Sequence, residues 1–232
     1  MRLAVLLLML FAVPSWAEKP LRIAVAANFK PTLENISRQF QDNTGIEVAL
    51  SSASTGVLAT QIEHGAPFDL FFAADREAPL NIMAKQKSQH GNAFCYALGS
   101  LALVGGRGSL SALAQPDLSV AIANPATAPY GRAAMEVLAR PEFEAGKTRK
   151  LVRGTNTTQA YAFWHTGAVD LALLPQSIAP ATATPIPQEW HQPIAQYAIS
   201  LVHSSKVDAY LNWIRSDTVR AQITAAGYQP CP

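Results

Sequence analysis

Charge is scarce in this sequence. Asp, Glu, Lys and Arg make up 15% of the 232 residues, and the formal net charge is +2. The Lys and Arg residues are scattered, with no basic run, which argues against a nucleic-acid partner or an anionic membrane surface. The five histidines (His64, His90, His165, His191, His203) form no His-Glu-x-x-His pair, and no Gly-x-Ser-x-Gly elbow is present. Gly105-Gly106-Arg107-Gly108 lacks the spacing and the Lys-Ser/Thr of a phosphate loop and reads as a turn. No cofactor is expected from these motifs, and enzyme readings are weak. Neither a low-complexity tract nor an exact repeat occurs.

Cysteine is nearly absent: Cys95 and Cys231 are the whole complement. Two cysteines, one of them next to last, suggest a bridge from the tail to the middle of the chain, the alternative being two free buried thiols. Long apolar runs are also missing, apart from the one that opens the chain. Met1-Arg2 is a short positive start, Leu3 to Val13 is apolar, and Ser15-Trp16-Ala17 ends in small residues. This is the pattern of a secretory signal peptide spanning 1–17 and cut after Ala17, too short to span a bilayer. The expected location is therefore the periplasm, where disulfides persist.

What the sequence has is hydrophobic content, 49%, arranged in alternating strand and helix patterns. Leu21 to Val25 is an apolar strand. Phe29, Leu33, Ile36 and Phe40 then recur at helical spacing, with Asn28 where the N-cap belongs, Pro31 in the first turn and Gly45 as the stop. Ile46 to Leu50 is a strand, Ser51 to Gly56 a hydroxyl-rich turn, and Val57 to His64 a helix. Asp69 to Ala73 is a buried strand, and Asp75 is placed to cap the next helix. This alternation implies a mostly parallel sheet covered by helices.

The run from Phe94 to Val104 is too long for one strand and is expected to cross between lobes. A second α/β unit follows: a strand over Ser119–Ala123, a turn-rich loop to Gly131, a helix from about Arg132, a strand over Arg149–Val152, the polar turn Gly154 to Thr158, a helix, and a strand over Val169–Leu174. Gln196 to Val202 is a strand placed to cross back, and two short helices close the chain. Four strand-to-helix turns carry polar residues, at Asn28, Ser54-Thr55, Tyr130 and Asn156-Thr157. Free amides at such turns bind anions.

Taken together, these turns resemble the molybdate-binding proteins, the periplasmic components of molybdate ABC transporters. The matching stretches are Ile23 to Phe29, Ser54 to Ile62, Gly65 to Asp75, Asn124-Pro125 through Tyr130-Gly131, and Gly154 to Ala160. The resemblance implies a two-lobed type II periplasmic binding fold. Lobe 1 would comprise 18–97 plus 202–232, lobe 2 would comprise 98–201, and the ligand cleft would lie between them. It implies that a monomer captures molybdate or tungstate and delivers it to a membrane permease and its ATPase.

The family holds its tetrahedral oxyanion by neutral hydrogen-bond donors alone. Carried over by position, the contacts fall on Asn28, Thr55, Tyr130 and Thr157, with Ser54, Ala27 and Asn156 beside them. Asn28 is expected to offer its side-chain amide. Many members add a tyrosine hydroxyl after the last strand of lobe 2, where this sequence has Pro175 and Gln176, so the fifth contact departs from the pattern. Tyr130 is a candidate to supply a hydroxyl in its stead. The physics is consistent with this set, because a desolvated dianion needs its lone pairs met, and helix N-termini supply partial positive charge. Two other readings stay open. One is an exported hydrolase in which Ser51 or Ser54 meets a distant His. The other is a binding protein for a different ligand, such as sulfate, phosphate or a ferric ion.

Overall fold

The computed structural model describes residues 19–86 and 93–232. The proposed signal peptide and its cleavage site, like His90, lie outside the described residues.

Among the described residues the strands form two five-stranded sheets. In the first, β1 (Leu21–Ala26) lies between β2 (Val48–Ala53) and β3 (Leu70–Phe72), all parallel. The connecting helices are α1 (Lys30–Thr44) and α2 (Thr55–Glu63), and α3 (Glu77–Gln86) follows β3. Then β4 (Phe94–Gly99) enters the same sheet and β5 (Leu101–Val104) enters the other. Ser100 alone separates them, so the long apolar run does cross between lobes.

The second sheet repeats the design. Strand β6 (Val120–Ala123) is parallel to β7 (Leu151–Gly154) and β8 (Leu171–Pro175), with helices α4 (Pro129–Leu138) and α5 (Thr157–His165) between. Strand β5 runs antiparallel to β8, and β9 (Thr184–Pro185) closes the edge. The chain returns through β10 (Ile194–Ser200), antiparallel to both β3 and β4, and ends in α6 (Ser205–Ile214) and α7 (Asp217–Ala225). Both sheets are therefore mixed, each with three parallel strands at one end. Strand β10 belongs to the first sheet, not to the second lobe as a division at residue 201 implies; strand pairing over such separations leaves no local signal.

Local chemistry explains most boundaries. Gly45 takes the left-handed conformation (φ 72°) that ends α1, and its N–H bonds to Gln41 O. The apolar stripe Leu33, Ile36 and Phe40 is buried on the first core, as its spacing predicts. Asp75 does cap: its Oδ1 accepts from Ala78 N at 3.0 Å. Helix α4 starts earlier than expected, because Pro129 occupies a first-turn position that needs no donor. Tyr130 is thus on the helix, not in a loop. The cysteines are bridged: Cys95 on β4 joins Cys231, with Cα atoms 6.1 Å apart.

Asn28 is not the N-cap of α1. That position falls to Phe29, which makes no side-chain cap bond. Phe29 is fully buried, with its ring centroid 4.6 Å from Tyr96 and 5.4 Å from Tyr228. Sinking this ring into an aromatic cluster fixes the turn, and the Asn28 side chain goes to internal partners in place of the helix end.

Candidate functional site

Ala27, Asn28, Ser54 and Thr55 from the first lobe and Tyr130, Asn156 and Thr157 from the second all line one small cavity, of about 10 Å³, together with Ala26, Ala74, Ala128 and Pro129. Its volume is about that of a single water site. The lobes are drawn together around it. Gly56 N donates to Thr127 O across the cleft at 2.9 Å, and Arg132 pairs with Asp75 at 2.9 Å.

The parallel strands of both sheets aim their following helices at this point. Helices α2, α4 and α5 begin at Thr55, Pro129 and Thr157, all on the cavity wall. First-turn N–H groups have no intrahelical acceptor and carry the positive end of the helix dipole. Among the described residues no charged side chain lines the cavity. Potential there comes from peptide dipoles and neutral polar groups alone.

Two of those groups stand out. Ser54 Oγ and Thr157 Oγ1 are buried and have no hydrogen-bond partner. Ser54 sits at the N-cap of α2 without making the cap bond. Asn156, by contrast, caps α5, its Oδ1 accepting from Gln159 N at 3.0 Å, so that side chain has a structural task. Thr55 Oγ1 accepts from Ala74 N at 2.9 Å, which leaves its own proton for a ligand. An unsatisfied buried hydroxyl costs about 1–3 kcal/mol, so two of them, one from each lobe, mark a place that a polar ligand completes.

Asn28 and Tyr130 are tied into a network that sequence reasoning missed. Asn28 Nδ2 donates to Gln196 Oε1 at 2.7 Å and to Tyr228 Oη at 3.3 Å, and Tyr228 Oη donates to Asn28 O at 2.8 Å. Gln196 Nε2 donates to Tyr130 Oη at 3.4 Å, and Tyr96 Oη lies within reach of both Ala73 O and Gln196 Oε1. The expected side-chain amide of Asn28 is thus committed internally. Burial, reinforced by the neighbouring phenols, holds the Tyr96 and Tyr130 hydroxyls well above the ordinary tyrosine value, so both are neutral donors and acceptors. Gln196 and Tyr228 lie far from Asn28 in sequence, and nothing in their local pattern distinguished them. Neither Pro175 nor Gln176 lines the cavity; Pro175 is the last residue of β8, paired with Leu101.

A larger hollow of about 580 Å³ adjoins the site, sharing Ala74 and Pro129. Four carboxylates, Glu63, Asp75, Glu77 and Glu136, line it with two arginines, Arg76 and Arg132, so the acidic groups outnumber the basic ones and its field is less suited to an oxyanion than the small cavity's. Among the described residues no group of three or more His, Cys, Asp or Glu side chains is placed to hold a metal ion, and no helix is long and apolar enough to cross a membrane.

Known proteins agree with this architecture. A profile of bacterial extracellular solute-binding proteins matches residues 21–229. The molybdate-binding protein ModA of Azotobacter vinelandii is 33% identical over 225 residues, covering 89% of this chain and 88% of the relative. ModA of Rhodobacter capsulatus is 32% identical over 240 residues, covering 97% and 94%. The solved periplasmic molybdate-binding protein of Azotobacter vinelandii superposes with a TM-score of 0.83 at 30% identity, over 91% of this chain and all of that one. These relatives are binding proteins. The chain belongs to the bacterial extracellular solute-binding protein family and, within it, to the molybdate-binding proteins.

Proposed function

We propose that this protein captures molybdate or tungstate in the periplasm, as a monomer, and hands it to the permease of an ABC transporter driven by its ATPase. The observation that carries this reading is the pair of partnerless hydroxyls, Ser54 Oγ and Thr157 Oγ1, facing one cavity from opposite lobes. They are donors in need of acceptors. A tetrahedral dianion is all acceptor, and the convergent helix N-termini favour its charge. The contacts are assigned to Thr55, Ser54 and Thr157 through their hydroxyls, to Asn28 from its turn and to Tyr130 from the first turn of α4. Charge-assisted bonds contribute about 1.5–3 kcal/mol each, and five or so suffice for micromolar to nanomolar binding after the costs of desolvation and ordering.

The charge state of the ligand follows. Hydrogen phosphate carries a proton that needs an acceptor, whereas molybdate, tungstate and sulfate at neutral pH do not. Sulfate shares the charge but is smaller, and the site is proposed to reject it by size. A serine hydrolase would need a base beside Ser54; its Oγ has no partner, and no histidine among the described residues lines the cavity.

The deciding experiment is a thermal-shift series with molybdate, tungstate, sulfate and phosphate. At a hundredfold excess over Kd, binding stabilises by about 2.7 kcal/mol, a rise of roughly 5–10 °C for a protein of this size. The expected result is that rise with molybdate and tungstate and a smaller one with the other two. No rise with either metal oxyanion refutes the proposal.

A further inference from the structure

Gln196 is fully buried on β10, the strand that returns to the first lobe. Its carboxamide touches one cavity-lining residue from each lobe, accepting from Asn28 Nδ2 and donating to Tyr130 Oη. The two ends of a carboxamide have almost the same shape and opposite hydrogen-bonding character. Turning Gln196 alone would set its donor against the Asn28 donor. Turning Asn28 alone would set two carbonyl oxygens together. The two amides therefore turn only together, and Tyr228 Oη, which donates to Asn28 O and so accepts from Asn28 Nδ2, sets which way the pair faces.

That orientation allots the protons. Both Nδ2 protons of Asn28 face internal acceptors, Gln196 Oε1 and Tyr228 Oη. Tyr130 Oη accepts from Gln196 Nε2, so its own proton is not used in that bond. A second restraint keeps Tyr130 in place: Gly99 lies so close that a Cβ there would come 2.1 Å from Tyr130 Oη. Gln196 and the bare backbone of Gly99 together seat this hydroxyl at the crossing between lobes.

We propose that Gln196 is a positioning residue of the oxyanion site. By accepting from Asn28 and donating to Tyr130, it makes the Tyr130 proton, and not the Asn28 amide, the side-chain donor of this corner. The inference rests on the oxyanion reading above and names the group that favours a fully deprotonated ligand. Without Gln196, the Tyr130 proton is free to turn to internal acceptors and is lost to the ligand.

The test is a double-mutant cycle in molybdate affinity, measured by titration calorimetry on the unsubstituted protein, Gln196→Met, Tyr130→Phe and the double variant. Each single variant is expected to weaken binding roughly tenfold, and the double to be no more than about threefold weaker than either. Losses that multiply to roughly a hundredfold overturn the role of Gln196, as does an unchanged Kd in Gln196→Met. Ligand-free melting of each variant is read alongside, since a purely structural role moves melting without producing the coupling.

Should Gln196→Met fail to fold, nitrogen-15 spectra of the unsubstituted protein decide. The Asn28 and Gln196 side-chain amides are expected to resist solvent exchange before and after molybdate saturation. A large ligand-induced shift of the Asn28 amide would place the donor there and overturn the proposal. Absence of molybdate binding by the unsubstituted protein instead overturns the oxyanion reading itself, which keeps the two failures distinct.

Discussion

Asp75 on the first lobe and Arg132 on the second meet across the cleft, with Arg132 Nη2 2.9 Å from Asp75 Oδ2. The Asp75 side chain is 12% exposed and that of Arg132 is 47% exposed, so solvent screens the pair. Such pairs contribute about 0.2–1 kcal/mol. Arg132→Ala should therefore speed ligand release by only about two- to fivefold. Added salt should shrink the difference, read by stopped-flow release at low and high ionic strength. Asp75→Ala should cost more, because Asp75 Oδ1 also caps α3 through Ala78 N.

Ser54→Ala and Thr157→Val should separate stability from binding. Each removes a buried hydroxyl that has no partner in the ligand-free protein. Ligand-free stability should rise, or hold, by about 1 kcal/mol, while molybdate affinity falls roughly tenfold. Denaturant unfolding without ligand and calorimetric titration with it check the two signs. A matching loss in both would mean that these hydroxyls serve the fold.

Gly56→Ala should act on closure. A Cβ at this position would lie 3.2 Å from Thr127 Cα and O on the opposite lobe, tighter than ordinary contact. Within α2, alanine is favoured over glycine by about 0.5–1 kcal/mol. The expected outcome is an unchanged or slightly higher melting temperature without ligand, together with weaker molybdate binding.

Much of this organisation was legible in the sequence. The period of Phe29, Leu33, Ile36 and Phe40 gave α1, the block Gly65 to Asp75 gave β3 and its cap, and the run Phe94 to Val104 gave the crossing. All seven candidate residues line one cavity, because a parallel α/β unit brings every strand-to-helix turn to the same edge of its sheet. The orientation of each side chain was not legible. Asn28 read as a cap because capping is local, while its partners Gln196 and Tyr228 are 168 and 200 residues away. Tyr130 read as a loop residue because Asn124 to Pro129 is rich in turn formers, although Pro129 also opens a helix.

Reducing the Cys95–Cys231 bridge should destabilise without abolishing the site. It closes a separation of 136 residues and holds the tail beside β4, where Leu98 and Gln229 form a bridge. A Cys231→Ser variant should lose about 2–5 kcal/mol in denaturant unfolding. Below its melting temperature it should still bind molybdate, since neither cysteine lines the cavity.

Alkaline pH should unfold the protein through its phenols. Burial pushes Tyr96, Tyr130, Tyr210 and Tyr228 above the ordinary value of 10.0. A raised folded value means that the neutral form is held more tightly in the native state. The contribution is therefore intact below the unfolded value and is lost as pH rises beyond it. Stability should be insensitive to these groups between about pH 7 and pH 9 and should fall above about pH 10. Urea midpoints across that range provide the check.

The single-residue break at Ser100 has a thermodynamic consequence. Strand β4 pairs only within the first sheet and β5 only within the second. No ladder hydrogen bond spans the break, so swinging the lobes apart there sacrifices no strand pairing in either sheet. What separates open from closed is then a short set of contacts, including Gly56 N to Thr127 O and Arg132 to Asp75. For two arrangements divided by so few contacts, a small ion that binds the closed one more tightly by about 5.5 kcal/mol would be enough to invert a ratio of 1:99 to 99:1.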